Sequence, residues 1–312
     1  MKKLFLVLLL CSVFAVPAGA ETPLRLALLP IPDALPVHVA QELGLFAREG
    51  LKVEVLSVGS AVSRDQLMQA QRIDGMVNEI SGAAALNRSQ ITAQIVGVAR
   101  SPLGQSPVFR ILAAPGSGVK TAADLAGISI GVSRNTVIEY ISDRMLGEAG
   151  VKVQDIRYAS VPVLPDRLQL LLSGQLQAAT MPDPLGFSAM ESGAVEVVND
   201  VGNPLSLSVV TFSDTAIREK KAAVAGFVRA WNEAAEAINA DPERWRALFL
   251  KKARVPKKVA QSYPIPPFPV GKLPTEAQWN DVMQWMLDKG LLKRALPYES
   301  SVTAEFQPAV VK

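Results

Sequence analysis

Cysteine and histidine are nearly absent from this chain of 312 residues, which holds one of each, Cys11 and His38. A lone cysteine excludes an internal disulfide bond. The zinc and iron sites that proteins build from cysteine and histidine need several of these residues. We therefore expect no metal, no cofactor and no catalytic residue in this chain.

A strong net charge is also lacking, because 32 basic residues stand against 29 acidic ones and the formal net charge is +3. Proteins that bind nucleic acid need a basic surface to contact the phosphate backbone. The sequence has no basic cluster of that kind. We therefore expect no nucleic-acid partner.

An apolar run at the start of the chain is too short to span a bilayer. Residues 1–20 combine two lysines, this run and a small-residue end, which is the pattern of a secretory signal. We predict cleavage before Glu21, which leaves a nearly neutral periplasmic protein. Lipid attachment at Cys11 is the alternative, but such signals favour a small residue before the cysteine, and Leu10 is there instead.

The stretch at residues 128–150 predicts a strand, a turn and a helix from its sequence ISIGVSRNTVIEYISDRMLGEAG. A short β-branched segment comes first, a polar turn follows, and apolar residues then recur at helical spacing. Two pairs of segments also repeat at nearly the same offset: residues 50–53 resemble 150–153, and residues 67–77 resemble 170–180. We predict an α/β protein with two lobes of similar build; chance similarity between short segments is the alternative.

Two turn-rich segments, residues 115–118 and 202–204, indicate that the chain crosses twice between these lobes. We assign residues 21–113 and 205–312, with the C-terminal helices, to a first lobe and residues 114–204 to a second. Two lobes joined by two crossover strands enclose a cleft in which a ligand can bind.

The carboxyl ends of parallel strands are where open α/β sheets bind ligands. We therefore expect the ligand-binding side chains in the turns that follow the predicted strands. The candidates in the first lobe are Asp33, Ala34, Leu35, His38, Ser60, Glu79, Ser81 and Arg100. The candidates in the second lobe are Ser133, Arg134, Asn135, Thr136 and Asp183.

Three of these candidates have a second interpretation. Arg100 ends a predicted strand and can bind an anion through two hydrogen bonds, or it is a solvated surface arginine. Asp183 can accept hydrogen bonds from a ligand amine, or it caps a helix with Pro184 at the first position. His38 can face the cleft, or it is a surface or partly buried histidine without a role.

The charges in the predicted cleft favour an organic solute over a bare anion. Asp33, Glu79 and Asp183 repel nitrate or bicarbonate. Thr136 and Glu139 have capping-box spacing, which uses free amides of the turn and brings another carboxylate to it. We expect an amine-bearing, zwitterionic or aminopyrimidine-like solute first, with an alkylsulfonate, taurine or a nitrate-type anion as the alternative.

Several segments, in this order, resemble the solute-binding proteins of ABC importers. They are HVAQELGLFAREG (38–50), QRIDG (71–75), GISIGVS (127–133), LSGQLQAA (172–179) and DP (183–184). The resemblance is to the group for nitrate, sulfonate, taurine and thiamine-precursor uptake, the NMT1/THI5-like group. It implies a type II periplasmic binding fold and a monomer that binds a small solute and then meets a membrane permease and its ATPase.

The sequence departs from this group at one position of the predicted cleft. Relatives often carry a tryptophan just before the acidic-proline pair, where this chain has Pro182. Phe187, one helical turn further on, is the candidate to replace it as an aromatic surface.

An enzyme on the same fold is the rival interpretation, since relatives of this group include a pyrimidine-forming enzyme of thiamine synthesis. That enzyme relies on a cysteine-rich motif and on histidines. This chain has no cysteine after Cys11 and only one histidine. We therefore expect a binding protein and not an enzyme.

Overall fold

Two five-stranded sheets form the framework of the chain, which a computed structural model describes for residues 21–308. The secretory signal predicted at residues 1–20, with Cys11, lies outside the described residues. The strands, in chain order, are β1 (Thr22–Leu28), β2 (Leu51–Ser57), β3 (Gly75–Glu79), β4 (Ala93–Arg100), β5 (Phe109–Ala113), β6 (Ser129–Val132), β7 (Arg157–Ser160), β8 (Ala178–Pro182), β9 (Val195–Asn199) and β10 (Ser208–Ser213).

The two sheets have the same topology. The first has the strand order β2-β1-β3-β10-β4, and the second has the order β7-β6-β8-β5-β9. The central strands β1 and β6 each run parallel to both of their neighbours. The fourth strand, β10 or β5, runs antiparallel to the strands beside it. This arrangement confirms the prediction of two α/β lobes built on one plan.

Helices cover these sheets and extend the chain at its C-terminal end. In chain order they are α1 (Leu35–Glu42), α2 (Leu45–Arg48), α3 (Ala61–Gln69), α4 (Ile80–Asn87), α5 (Val137–Glu148), α6 (Leu164–Leu172), α7 (Leu185–Met190), α8 (Asp214–Glu219), α9 (Lys221–Ala240), α10 (Arg246–Lys252), α11 (Glu276–Asp288) and α12 (Tyr298–Ser301). None of these helices is both long and apolar enough to cross a membrane.

The fourth strand of each sheet is supplied by a crossover. The sequence assigns residues 109–113 to the first lobe, but β5 pairs with β8 and β9 of the second sheet. The turn-rich residues 115–118 follow β5, so they are a turn inside the second lobe. We therefore propose residues 101–108 and 200–207 as the two crossovers.

Helix α11 contacts the second lobe, although the sequence assigns it to the first. Its Asp281 accepts hydrogen bonds from Tyr140 and Arg144 of α5, both at 2.7 Å. The indole of Trp285 donates to Asp143 of the same helix at 2.8 Å. The same core cluster includes buried residues of α4 and α11, so α11 joins the two lobes.

Asp200 ties the two crossovers together. It is fully buried, and its carboxylate accepts the backbone N–H groups of Val108 at 2.9 Å and Phe109 at 3.0 Å. The hydroxyl of Ser206, on the same crossover as Asp200, donates to it at 2.5 Å. Burial raises the pKa of Asp200 to about 6, against the lowering effect of these three donors.

We predict that Asp200 makes the protein less stable as the pH rises from 4 to 6. An ordinary Asp has a pKa of about 3.9, so over this range the folded state holds a proton that the unfolded state has lost. The contribution of Asp200 to the free energy of unfolding therefore falls by about 2 kcal/mol across this window. Urea unfolding at several pH values isolates this contribution as the difference in unfolding free energy between the wild type and Asp200→Asn, and that difference should fall between pH 4 and pH 6.

Ser206→Ala is the matched control, because it removes one hydrogen bond and keeps the carboxylate. The difference in unfolding free energy between Ser206→Ala and Asp200→Asn should show the same fall as the pH rises. The same slope in Asp200→Asn as in the wild type would show that Asp200 is not the titrating group.

Candidate functional site

Arg100 lies at the carboxyl end of β4 and is only 1% exposed. Its Nη1 donates to Asp33 Oδ1 at 3.3 Å. Its Nη2 donates to Pro107 O at 3.0 Å and, at 3.4 Å, to the hydroxyl of Tyr263. Burial acts to lower the pKa of Arg100, but Tyr263, Asp33 and Asp183 raise it above its ordinary value. The interpretation as a solvated surface arginine is therefore wrong, and Arg100 is a buried cation with Asp33 as counter-ion.

Asp183, at the carboxyl end of β8, is the corresponding buried carboxylate of the second lobe. Arg110 of β5 donates to both of its oxygens, Nε at 2.9 Å and Nη2 at 3.0 Å. The carboxylate also accepts the N–H of Phe187 in the first turn of α7, at 3.1 Å. Burial raises the pKa of Asp183, although Arg110 opposes the shift. The N-cap of α7 is Pro184 and the helix begins at Leu185, so the prediction of Asp183 as N-cap with Pro184 at the first helical position is wrong by one residue. Asp183, just before the N-cap, still bonds the first turn and holds an ion pair at once.

Gly186 makes room for this ion pair. A Cβ at this position would lie 2.8 Å from Asp183 Oδ1 and 3.1 Å from Arg110 Cδ. Contacts below 3.0 Å are not tolerated without movement, so any larger residue would displace the carboxylate or the arginine.

Glu79 ends β3 and is also paired with an arginine. The buried Arg64 of α3 donates from Nη2 to its Oε2 at 3.2 Å. Each of the three carboxylates predicted for the cleft, Asp33, Glu79 and Asp183, therefore has a guanidinium partner. The expected repulsion of anions depended on unpaired carboxylates, so that argument no longer excludes an anionic solute.

Residues after α10 bring the two lobes into contact beside these ion pairs. The rings of Tyr263 and Phe187 meet edge to face, with centroids 5.4 Å apart. Lys258 donates to Glu191 O at 2.6 Å and to Ser192 Oγ at 3.0 Å, next to α7. Burial raises the pKa of Tyr263 to about 12, so its hydroxyl stays protonated at neutral pH. Phe187 faces Tyr263, at the contact between the lobes.

The turn at residues 133–136 joins β6 to α5. Thr136 is the N-cap, and its hydroxyl accepts the N–H of Ile138 at 3.2 Å. Glu139 accepts the N–H of Asn135 at 2.6 Å and pairs with Lys289 at 2.8 Å. The capping box predicted for Thr136 and Glu139 therefore does not form, because Thr136 accepts from Ile138 and Glu139 bonds the residue before the cap. Glu139 still brings its carboxylate to this turn, as predicted.

The other candidates are spread around these groups. Arg134 is exposed and lies 3.4 Å from Glu139. Ser60 is the N-cap of α3 and accepts the N–H of Ser63 at 3.1 Å. The structure therefore brings Asp33 and Arg100 into direct contact and leaves Ser60 outside that network. Ala34 and Leu35 are buried beside Asp33, and Ser81 is half-buried in the first turn of α4.

Arg110 and Tyr263 were not among the sequence candidates. Arg110 lies inside a strand and Tyr263 in a proline-rich connector, so neither follows a predicted parallel strand. The one signal for Arg110 in the sequence is that it is separated from the other basic residues by the apolar residues of β5.

A cavity of about 490 Å³ lies beside the carboxyl ends of β1 and β2. Its volume is within the range of small-molecule sites. It is lined by first-lobe residues, which are Leu28, Leu29, Pro30, His38, Gln41, Val55, Ser57, Lys251, Lys252 and Arg254. Burial and Lys252 together lower the pKa of His38 to about 4, so the imidazole is neutral at pH 7. Within residues 21–308, no three His, Asp or Glu side chains are grouped to hold a metal ion.

The profile of the NMT1/THI5-like family matches residues 31–245, more than half of the chain. The chain belongs to this family. A protein of Brachyspira hyodysenteriae named as an ABC transporter periplasmic binding protein is 23% identical over 242 residues, which cover 72% of this chain and 68% of the relative.

Two solved structures show how widely the NMT1/THI5-like fold is used. The periplasmic aliphatic sulphonate binding protein SsuA from Escherichia coli has a TM-score of 0.77 at 18% identity, covering 90% of this chain and 92% of its own. The desulfurization enzyme DSZB has a TM-score of 0.69 at 19% identity, covering 91% of this chain and 97% of its own. These similarities confirm the predicted periplasmic binding fold, and at such identities they show the fold alone.

We predict that His38 makes the protein less stable as the pH falls from 6.5 to 4. An ordinary histidine has a pKa of about 6.5, so the unfolded state binds a proton in this window that the folded state does not. Between pH 7 and pH 4.5 the wild type should therefore lose about 2 kcal/mol more of its free energy of unfolding than His38→Gln does. Urea unfolding at pH 7 and pH 4.5 measures the difference.

Lys252→Gln is the companion variant for this measurement. It removes one of the two causes of the lowered pKa, so the loss on acidification should shrink without disappearing. An equal loss in the wild type and in His38→Gln would contradict the assignment to His38.

Proposed function

We propose that this chain is the solute-binding component of an ABC importer. It captures a small polar organic solute between its lobes and delivers it to a membrane permease and its ATPase. One observation carries the proposal: the strand ends of both lobes meet at a buried group of charged and aromatic side chains, Arg100, Tyr263 and Asp183. Family membership and the relative named as an ABC transporter periplasmic binding protein support it.

Solute binding in this scheme favours the closed arrangement of the lobes. A ligand that contacts both lobes only when they are closed shifts the population towards that state. The contacts of Tyr263 with Phe187 and of Lys258 with α7 stabilise closure. The monomer acts in the periplasm after cleavage of residues 1–20.

The solute we propose is organic and polar, as the sequence predicts. Because Asp33, Glu79 and Asp183 are each paired with arginine, a purely cationic amine finds no free carboxylate among them. A zwitterion or an alkylsulfonate therefore fits better than a simple amine. The fold shared with the sulphonate-binding protein SsuA supports this order.

We infer that the chain is not an enzyme, although DSZB shares its fold. The described residues offer no cysteine nucleophile and one imidazole, His38, which is neutral and buried at the edge of the cavity. Product analysis by mass spectrometry, after incubation with each solute that binds, tests this inference. Turnover that survives in His38→Ala would exclude the one imidazole mechanism, and turnover of any kind would contradict the inference.

We predict that the solute stays bound when the protein is released gently from the periplasm and purified. Native mass spectrometry should detect that small molecule on the purified protein. Adding it back should raise the melting temperature, because a ligand that binds only the folded state stabilises it by mass action. A broad library of polar metabolites that gives neither a bound molecule nor stabilisation would refute the proposed function.

We also predict that Phe187→Leu weakens binding of that solute about fivefold. The edge-to-face contact with Tyr263 contributes on the order of 1 kcal/mol to the closed state. Calorimetry measures the affinity and urea unfolding the stability. Phe306→Leu is the control, because Phe306 is buried in the first-lobe core. It should lower stability without changing affinity, and equal affinity losses in both variants would refute a role for the aromatic contact.

A further inference from the structure

A buried arginine occupies the same position in both lobes. The offset that aligns residues 67–77 with 170–180 also aligns Arg64 of α3 with Arg167 of α6. Arg64 is 2% exposed and Arg167 is 0% exposed. Each donates from Nη1 to the central region of its sheet, Arg64 to Val77 O at 3.1 Å and Arg167 to Thr180 O at 2.8 Å. Val77 and Thr180 are related by the same offset.

The two arginines differ in the groups that balance their charge. Arg64 lies 2.9 Å from Asp65 Oδ1 and 3.2 Å from Glu79 Oε2. The position that corresponds to Glu79 in the second lobe is Pro182, which has no charge to offer.

Arg167 has only neutral acceptors instead. Its Nε donates to Val161 O at 2.8 Å and its Nη2 to Ser133 Oγ at 2.5 Å. Throughout residues 21–308, no carboxylate lies within ion-pair distance of Arg167, whose pKa burial alone lowers to about 10. A buried cation without a counter-ion is costly, so an anionic group that approaches it from the solute would stabilise it.

Ser133 connects this buried charge to the cleft. It follows β6 at the carboxyl end of the second sheet and is half-buried, so solvent reaches it. Its oxygen accepts from Arg167, while its own hydrogen reaches Pro162 O only at 3.4 Å. That distance is long for a hydroxyl donor, so turning the hydrogen towards a solute costs little.

We propose that Ser133 and Arg167 form the subsite for an anionic group, a sulfonate or a carboxylate, on the organic solute. The anion accepts the hydroxyl hydrogen of Ser133, and the guanidinium behind it supplies the positive charge that the solute neutralises. The anion thus balances the charge of Arg167, as Glu79 balances the charge of Arg64. This inference rests on the proposed function and names the chemical class of the solute.

Two backbone N–H groups at the start of α5 are already used within the protein and do not belong to this subsite. The N–H of Asn135 is used by Glu139 and the N–H of Ile138 by Thr136. Arg134 also lies at this edge, but its charge is paired with Glu139 at 3.4 Å. The positive charge without a carboxylate partner is that of Arg167.

The test compares charged and uncharged probes of similar size on the wild-type chain and three variants. The anionic probes are ethanesulfonate, taurine and propionate, and the uncharged ones are ethyl methyl sulfone and propanamide. Affinities come from calorimetry and stabilities from urea unfolding without probe. We expect the wild type to bind at least one anion tenfold or more tightly than its uncharged counterpart. Arg167→Gln should abolish that tenfold preference, chiefly by weakening binding of the anion.

Arg64→Lys is the matched control, since it disrupts the hydrogen bonds of the equivalent buried arginine and keeps a positive charge beside Glu79. It should lower stability and keep the preference for the anion. Ser133→Ala removes only the hydroxyl that faces the cleft and should weaken anion binding several-fold, which keeps the test valid if Arg167→Gln fails to fold.

Three results would overturn the subsite: equal binding of charged and uncharged probes by the wild type, unchanged anion preference in both Arg167→Gln and Ser133→Ala, or loss of preference in Arg64→Lys as well. An amine that binds tightly while every anion fails would overturn the subsite and leave the proposed function intact. Failure of every probe, together with no copurifying solute, would overturn both.

Discussion

Pairing of buried carboxylates with arginine is the interaction on which the cleft depends. The strand ends of both lobes bring Asp33 and Asp183 out of water, and a buried carboxylate without a counter-ion is strongly destabilising. Arg100 and Arg110 remove that penalty with hydrogen bonds of fixed geometry. The same pairing removes the negative charge that would select a cation. The sign of the bound solute is then set by whichever charge is left without a partner.

The two lobes use one architectural plan for different tasks. Both bury an arginine against a central strand, and in the first lobe Glu79 closes that ion pair within the protein. In the second lobe Pro182 replaces the acid, and Arg167 keeps its charge. An asymmetric solute would then bind in one orientation, with its anionic end towards β6 and the rest towards the first lobe.

Local patterns in the sequence predicted most of the framework. The strand and helix of residues 128–150 appear as β6 and α5, and the repeated segments fall on α3–β3 and α6–β8. Strands and helices depend on residues that are close together in the chain, so the spacing of apolar residues predicts them. No local pattern encodes contacts between residues that are far apart in the chain. Such contacts are the pairing of β5 with its sheet, the ion pair of Arg110 with Asp183, and the hydrogen bond of Arg100 with Tyr263. Arg167 was not among the candidates because only turns that follow strands were considered, and Arg167 reaches the turn at Ser133 from a helix. The candidate binding residues as a set stay a prediction.

The attachment of α11 to α5 has a consequence for how the chain folds. Tyr140, Asp143 and Arg144 find their partners in residues made more than 130 positions later, at 281 and 285. Asp143 also accepts from Tyr158 within the second lobe, but Tyr140 and Arg144 lack their carboxylate partner until α11 has been synthesised. Contacts of such long sequence separation slow folding.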